Sequence, residues 1–150
     1  MGSYYYLASP YSHPDPAVED ARFAEAGRFV AWAFRRGIHV FSPIVHCHPL
    51  ARAHGLAGDA AAWAAFDRAM ISSARGVLLL AIDGWRQSVG VSVEIFQARS
   101  TGKPVGWARP AGDGYAVGSW ERRFGLRFHA EPVVTRAVRS FGLPKVGRFA

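Results

Sequence analysis

The stretch "GVLLLAIDGWRQSVGVSVEIFQA", Gly76 to Ala98, decides the fold. Its first seven residues are apolar without alternation, the pattern of a central parallel strand covered on both faces. "DGWRQ" is the turn, and Val89 to Ser100 reads as a helix that Gly102 stops. A strand that runs through a short turn into a helix is half of a βαβ unit. The flanking segments supply the rest.

Upstream, "YYYLA" (Tyr4–Ala8) is a short β-prone run, and "SPYSHPDP" behind it is a loop. Pro14 and Pro16 mark a helix entrance. Apolar residues then recur at helical spacing from Ala17 to Arg36, at Phe23, Ala26, Phe29, Val30, Ala33 and Phe34, and Gly37 ends the helix. "IHVFSPI" (Ile38–Ile44) reads as the second strand. "VHCHPLARAHGLAGD" is a loop with some helical character. Asp59 can cap the helix "AAAWAAFDRAMISSA" that leads into the third strand. "PVGWA" (Pro104–Ala108) is the fourth strand. The order βαβαβαβ implies an α/β fold, a doubly wound, flavodoxin- or Rossmann-like parallel sheet of four to five strands flanked by helices. In such sheets ligands bind beyond the carboxyl ends of the strands. Three polar segments meet there: Ser9–Ser12, Pro43–His48 and Asp83–Ser88.

At 150 residues and half hydrophobic, the chain reads as a single domain over 1–150 with a sizeable core. No run of 18 apolar residues occurs, so no membrane partner is expected. No basic start precedes an apolar stretch, so no secretory leader is read. Cys47 is the single cysteine, which excludes an internal disulfide and fits a cytoplasmic, reducing setting. The net charge is +7, with +2 carried through residue 107 and +5 by residues 108–150. Residues 109–150 read as a basic C-terminal extension packing on the domain or on a neighbouring subunit. Within it, "AGDGYAVGSWE" is a loop, or a hairpin that pairs with another chain. "PVVTRAVRSFG" is a short helix, and "LPKVGRFA" is a tail or an edge strand. Its Trp120, Phe124, Phe128 and Phe141 interleave with arginines, as nucleic-acid binding would need. A subunit interface explains them more cheaply, so nucleic acid is not the expected partner.

Glu94 is a lone carboxylate near the start of the helix after strand three, where the helix dipole favours its charge. Gly90 lies one turn earlier on the same face and removes bulk beside the acid. Ser88 can cap the helix, and the N–H groups after it can hold an anion. An ordinary solvated Glu would fit the same position. Asp67, in "AAWAAFDRAM", is a second acid. Helix ends that precede parallel strands lie away from the crevice, so Asp67 reaches a site only if its helix runs obliquely or begins in an active-site loop. Otherwise it pairs with Arg68 or Arg75. "HCHP" (His46–Pro49) invites a metal, but three adjacent ligands on one run fit common zinc spacings poorly, and no metal is read. His46 can contact substrate or remain exposed. Trp85 can stack on a base or wall the third loop. Walker and dinucleotide glycine fingerprints are absent, so no cofactor is expected.

Taken together, "YLASPYS", "GIHVFSPIVH", "FDRAMISSARGVLLL" and "GWRQSVGVSVEIFQA" resemble, in order, the elements of the nucleoside 2-deoxyribosyltransferase superfamily, which includes deoxynucleoside 5′-monophosphate N-glycosidases. The Gly-Trp of the last element is most like a branch of short bacterial and phage proteins. The resemblance covers roughly residues 4–107. It implies cleavage of the N-glycosidic bond of a nucleoside or nucleoside 5′-monophosphate through a covalent glycosyl-Glu94 intermediate, by hydrolysis or base transfer. It also implies roles for single residues. Asp67 would assist the departing base, Tyr6 would stand near the nucleophile, and Ser88 and Gly90 would hold the 5′-phosphate. Ser9 replaces the usual loop Gly. The arginine expected after that loop is Ser12 here, and Arg22 is the candidate substitute. The resemblance further implies a homo-oligomer in which a neighbouring subunit completes the site. The alternative is a non-catalytic nucleotide-binding module.

Overall fold

A computed structural model describes residues 3–56 and 60–119. The helix expected within Pro132–Gly142, the tail after it, and the aromatics from Trp120 onward lie outside the described residues.

The strands are β1 (Tyr5–Ala8), β2 (Val40–Phe41), β3 (Gly76–Leu80), β4 (Val105–Ala111) and β5 (Gly114–Ser119). The helices are α1 (Pro16–Phe34), α2 (Pro43–His54), α3 (Ala60–Ser73) and α4 (Val89–Ser100). They build one five-stranded sheet in the order β2-β1-β3-β4-β5, parallel from β2 to β4 and antiparallel at β5. The chain leaves β1 toward β2 on one side and reaches β3 on the other. That reversal is the topological switch point where a crevice opens above the strands.

Alternation along β1 divides the core. Tyr5 and Leu7 pack with Leu78 and Leu80 against Ala26, Phe29, Trp32 and Ala33 of α1. Tyr6 and Ala8 face the other way, with Val77 and Val105, onto Ile71 of α3 and Ala98 of α4. Leu79 and Trp107 extend that second face toward Trp85 and Val91. Fully burying side chains of this size contributes about 1.5–3 kcal/mol each. The doubly wound α/β arrangement expected from the sequence is therefore present.

Three expectations need correction. The second strand is only Val40–Phe41, because Ser42 ends it: its Oγ accepts the Val45 N–H at 3.2 Å and caps α2, with Pro43 at the first helical position. The segment read as a polar loop is thus a helix. The hairpin "AGDGYAVGS" pairs within its own chain, against β4, and not with another chain, so the start of the C-terminal segment packs on the domain's own sheet. Tyr115 accounts for this: its ring sits 4.9 Å from Phe29 and 5.4 Å from Trp32, and its hydroxyl donates to Glu25 of α1. Phe34, assigned to the apolar stripe, is 79% exposed at the last residue of α1.

Candidate active site

Tyr6 projects from β1 into the layer between the sheet and α3 and α4. Its hydroxyl donates to Glu94 Oε1 at 2.6 Å. Asp67, in the middle of α3, also interacts with that hydroxyl. The difficulty raised for Asp67 is met by its place in mid-helix, from which its side chain interacts with the Tyr6 hydroxyl. The acid lies six residues before the end of α3, about 9 Å up the helix axis toward the crevice. It does not make the surface pairing with Arg68 or Arg75: its Oδ1 is enclosed and has no hydrogen-bond partner. Glu94 Oε2 is enclosed and unpartnered in the same way.

Burial controls the electrostatics here. It pushes the Glu94 carboxyl up from 4.5 to about 8; the Tyr6 hydrogen bond opposes the rise and the Asp67 charge adds to it. Burial likewise raises Asp67, again opposed by Tyr6. Tyr6 is raised by burial and by both carboxylates, so it stays a phenol and a donor. The expectation that the helix dipole keeps Glu94 ionised is overturned. Glu94 is the sixth residue of α4, beyond the first turn to which the dipole effect is confined, and desolvation outweighs it.

Ser88 caps α4, its Oγ accepting the Val91 N–H at 3.3 Å. Gly90 is exposed, and a side chain there would meet only Ser88 Oγ, at 3.9 Å, so the first turn of α4 presents bare backbone. Ser9 follows β1 directly, is 8% exposed, and its Oγ has no partner. A buried polar atom without a partner is uncommon and costly. Ser9, Asp67 and Glu94 each carry one.

Other candidates are placed differently. Trp85 is 8% exposed and packed with Leu79, Val91 and Trp107, with Arg86 over its ring at 4.5 Å. It walls the turn and offers no stacking face to a base. Arg22 donates from Nη1 to the carbonyls of Tyr11 (3.2 Å) and Ser12 (3.0 Å), and from Nη2 to that of Asp83 (3.4 Å). It therefore ties the β1–α1 loop to the β3–α4 turn, and most of its fork is engaged by backbone. His46 is exposed on α2, parallel to Phe66 at 6.2 Å and near Phe41 at 5.7 Å. The helix also parts the two histidines of "HCHP". His48 turns away from His46 to stack on Phe23 of α1 at 4.4 Å. Cys47 is buried between them, and its thiol is pushed up by burial and by the Asp67 charge.

The sequence brought up His48 only within the metal-like run "HCHP" and gave no sign of its partner Tyr11, whose hydroxyl is hydrogen-bonded to His48 Nδ1. The residues are 37 apart in the chain, and no local spacing marks the pair. Among the described residues no helix is long and apolar enough to cross a membrane.

A search of curated proteins found no match. The family model described as "Domain of unknown function (DUF1937)" matches residues 3–109, a span holding every residue of this site, and the chain belongs to that family.

Proposed function

We propose that the protein cleaves the N-glycosidic bond of a nucleoside or nucleoside 5′-monophosphate, as the resemblance to nucleoside 2-deoxyribosyltransferases implies. The observation that carries the reading is the Tyr6 hydroxyl bonded to Glu94 Oε1 beside Asp67, with Glu94 Oε2 enclosed and unpartnered. Tyr6 occupies one oxygen and leaves the other to face the anomeric carbon. As the bond from that carbon to the base nitrogen breaks, Oε2 bonds to the carbon, and Asp67, in its acid form, gives its proton to the nitrogen. Water then attacks the same carbon, Asp67 takes up the water's proton, and Glu94 departs with configuration retained overall. A second base in place of water gives transfer. The positive charge developing on the sugar favours the ionised Glu94 that burial disfavours in the free protein. The capped first turn of α4, at Ser88 and Gly90, would receive the 5′ end. A homo-oligomer and a cytoplasmic setting belong to the same proposal, from the resemblance and the lone Cys47.

One observation favours a second reading, a non-catalytic nucleotide-binding module: a carboxyl raised to about 8 is largely protonated at neutral pH, which suits a binding group better than a nucleophile. Mass spectrometry of the intact protein, briefly mixed with deoxynucleosides and their 5′-monophosphates, separates the two. A sugar adduct on Glu94, with base release abolished in Glu94→Ala, supports the enzyme. Tight binding without adduct or free base supports the module.

A further inference from the structure

Outside the acid pair, His48 is a buried polar side chain with partners on several sides. It is 7% exposed, stacked on Phe23, and edge-on to Tyr11 at 5.3 Å. Its Nε2 lies 3.8 Å from Asp20 Oδ1, and Arg52 holds that same oxygen at 2.8 Å. With a carboxylate on the Nε2 side, the ring hydrogen belongs there. Nδ1 is then the lone-pair nitrogen, and the Tyr11 hydroxyl donates to it.

Tyr11 is held a second time, through its backbone. Its carbonyl and that of Ser12 accept from Arg22, whose other nitrogen reaches the Asp83 carbonyl. Gly84 follows with φ +85°, and a Cβ there would fall 2.2 Å from Arg22 Nη2, so the turn is shaped around the guanidinium. One residue thus links three segments at the carboxyl edge of the sheet: α2 through its hydroxyl, and the β3–α4 turn through its carbonyl and Arg22, with its own β1–α1 loop between. That loop carries Ser9 and leaves the strand of Tyr6, and the turn leads into Ser88 and the helix of Glu94.

We propose that His48 is a positioning residue for this site, acting through Tyr11 to fix the β1–α1 loop, and through Arg22 the β3–α4 turn, on either side of the crevice. The proposal rests on the glycoside-cleaving reading for its kinetic consequence but not for its structural one. His48 touches no reacting atom. It holds the frame in which Tyr6 and Glu94 meet the substrate, where a displacement of about 1 Å can cost about 100-fold in rate.

The test combines steady-state kinetics with backbone hydrogen exchange in residues 9–12 and 83–88. It uses the full chain and Tyr11→Phe, His48→Phe, His48→Asn and the Tyr11→Phe/His48→Phe double variant. Tyr11→Phe and His48→Phe should each lower kcat about tenfold with KM little changed, and each should speed exchange in both segments about fivefold. The double variant should be no worse than the poorer single one, because both remove the same bond. His48→Asn, whose side-chain oxygen stands near the place of Nδ1, should recover to within about threefold of the native chain. A merely structural histidine would not be rescued this way. The proposal is overturned if exchange in both segments is unchanged, if the single effects multiply in the double variant, or if Asn is as poor as Phe. If His48→Phe does not fold, Tyr11→Phe, which removes a single oxygen, decides alone. If the native chain turns over no glycoside, the functional reading fails, and the exchange measurements still decide this one.

Discussion

Replacing Glu94 by Gln should stabilise the protein increasingly as the pH rises from acid through neutral to alkaline, and should not do so at acid pH. The Glu94 carboxyl stands at about 8 in the folded chain against 4.5 for the free group. The folded state therefore binds this proton more tightly than the unfolded state. Stability from this group is full below about pH 4.5, falls as the pH rises, and levels off above about pH 8. At about 1.36 kcal/mol per pH unit, the loss by pH 9 is on the order of 5 kcal/mol. Gln keeps an oxygen for the Tyr6 hydroxyl but sets an amide N–H₂ where Oε2 is enclosed, which costs about 1–3 kcal/mol. The variant should thus gain about 2–4 kcal/mol at pH 9, raising Tm by roughly 5–15 °C for a chain of this size. At pH 5 it should gain nothing or lose slightly. Thermal and urea unfolding of both proteins at pH 5, 7 and 9 reads this, since titrations of groups that do not touch the Glu94 carboxyl cancel in the difference. A difference in stability that stays constant across the three pH values would refute the reasoning, because Glu94 would then titrate alike in the folded and unfolded chains.

Tyr6→Phe removes the one interaction that holds the Glu94 carboxyl down, so the rise of kcat/KM with pH should move to higher pH. The rate at neutral pH should fall about 10- to 100-fold; a profile with an unmoved midpoint would exclude the role given to Tyr6. Asp67→Asn should lower turnover of ordinary nucleosides about 100-fold or more, but scarcely affect a glycoside whose leaving group needs no proton, such as a nitrophenyl deoxyriboside. Equal losses on both would remove Asp67 from the proton transfer. Gly118→Ala sets a Cβ 2.6 Å from Trp107 Cε2, in a ring only 2% exposed that cannot retreat. Overpacking of about 1–3 kcal/mol should lower Tm measurably in a thermal melt, and an unchanged Tm would count against the β4–β5 pairing.

Elements defined by local pattern were legible in the sequence. The unbroken apolar run of β3 and the Ser88 cap of α4 each have a cause within a few residues, and both stand where expected. Elements defined by distant partners were not. α2 begins because Ser42 caps it, yet the β-branched residues around that serine equally suit a strand. β5 exists because Tyr115 lodges between Phe29 and Trp32, about 85 residues away in the chain. In the site, the type of residue at 6, 67 and 94 was readable, but its electrostatics were not. Burial reversed the protonation expected for Glu94, and burial is a property of the packed layer rather than of the helix. For Trp85 and Arg22 the sequence left alternatives open, because only packing shows that the ring walls the turn and that the guanidinium is held by backbone carbonyls.

The cost of the acid pair is itself an argument about what it is for. A fold stabilised by apolar packing gains nothing by enclosing two carboxyls and leaving an oxygen on each without a partner. A structural ion pair would have supplied a cation, and among the described residues none bonds either oxygen. What the two carboxyls share is the Tyr6 hydroxyl and the β1–β3 switch point, with bare backbone at Gly90 one turn before Glu94. Unsatisfied acceptors gathered where the topology opens a crevice are groups whose partners arrive with a ligand. The stability that Glu94→Gln should recover is therefore stability withheld for binding or chemistry. If that variant gained stability at pH 9 and still released base at the native rate, the destabilising carboxylate would have no part in the reaction, and the nucleophile would have to be sought elsewhere.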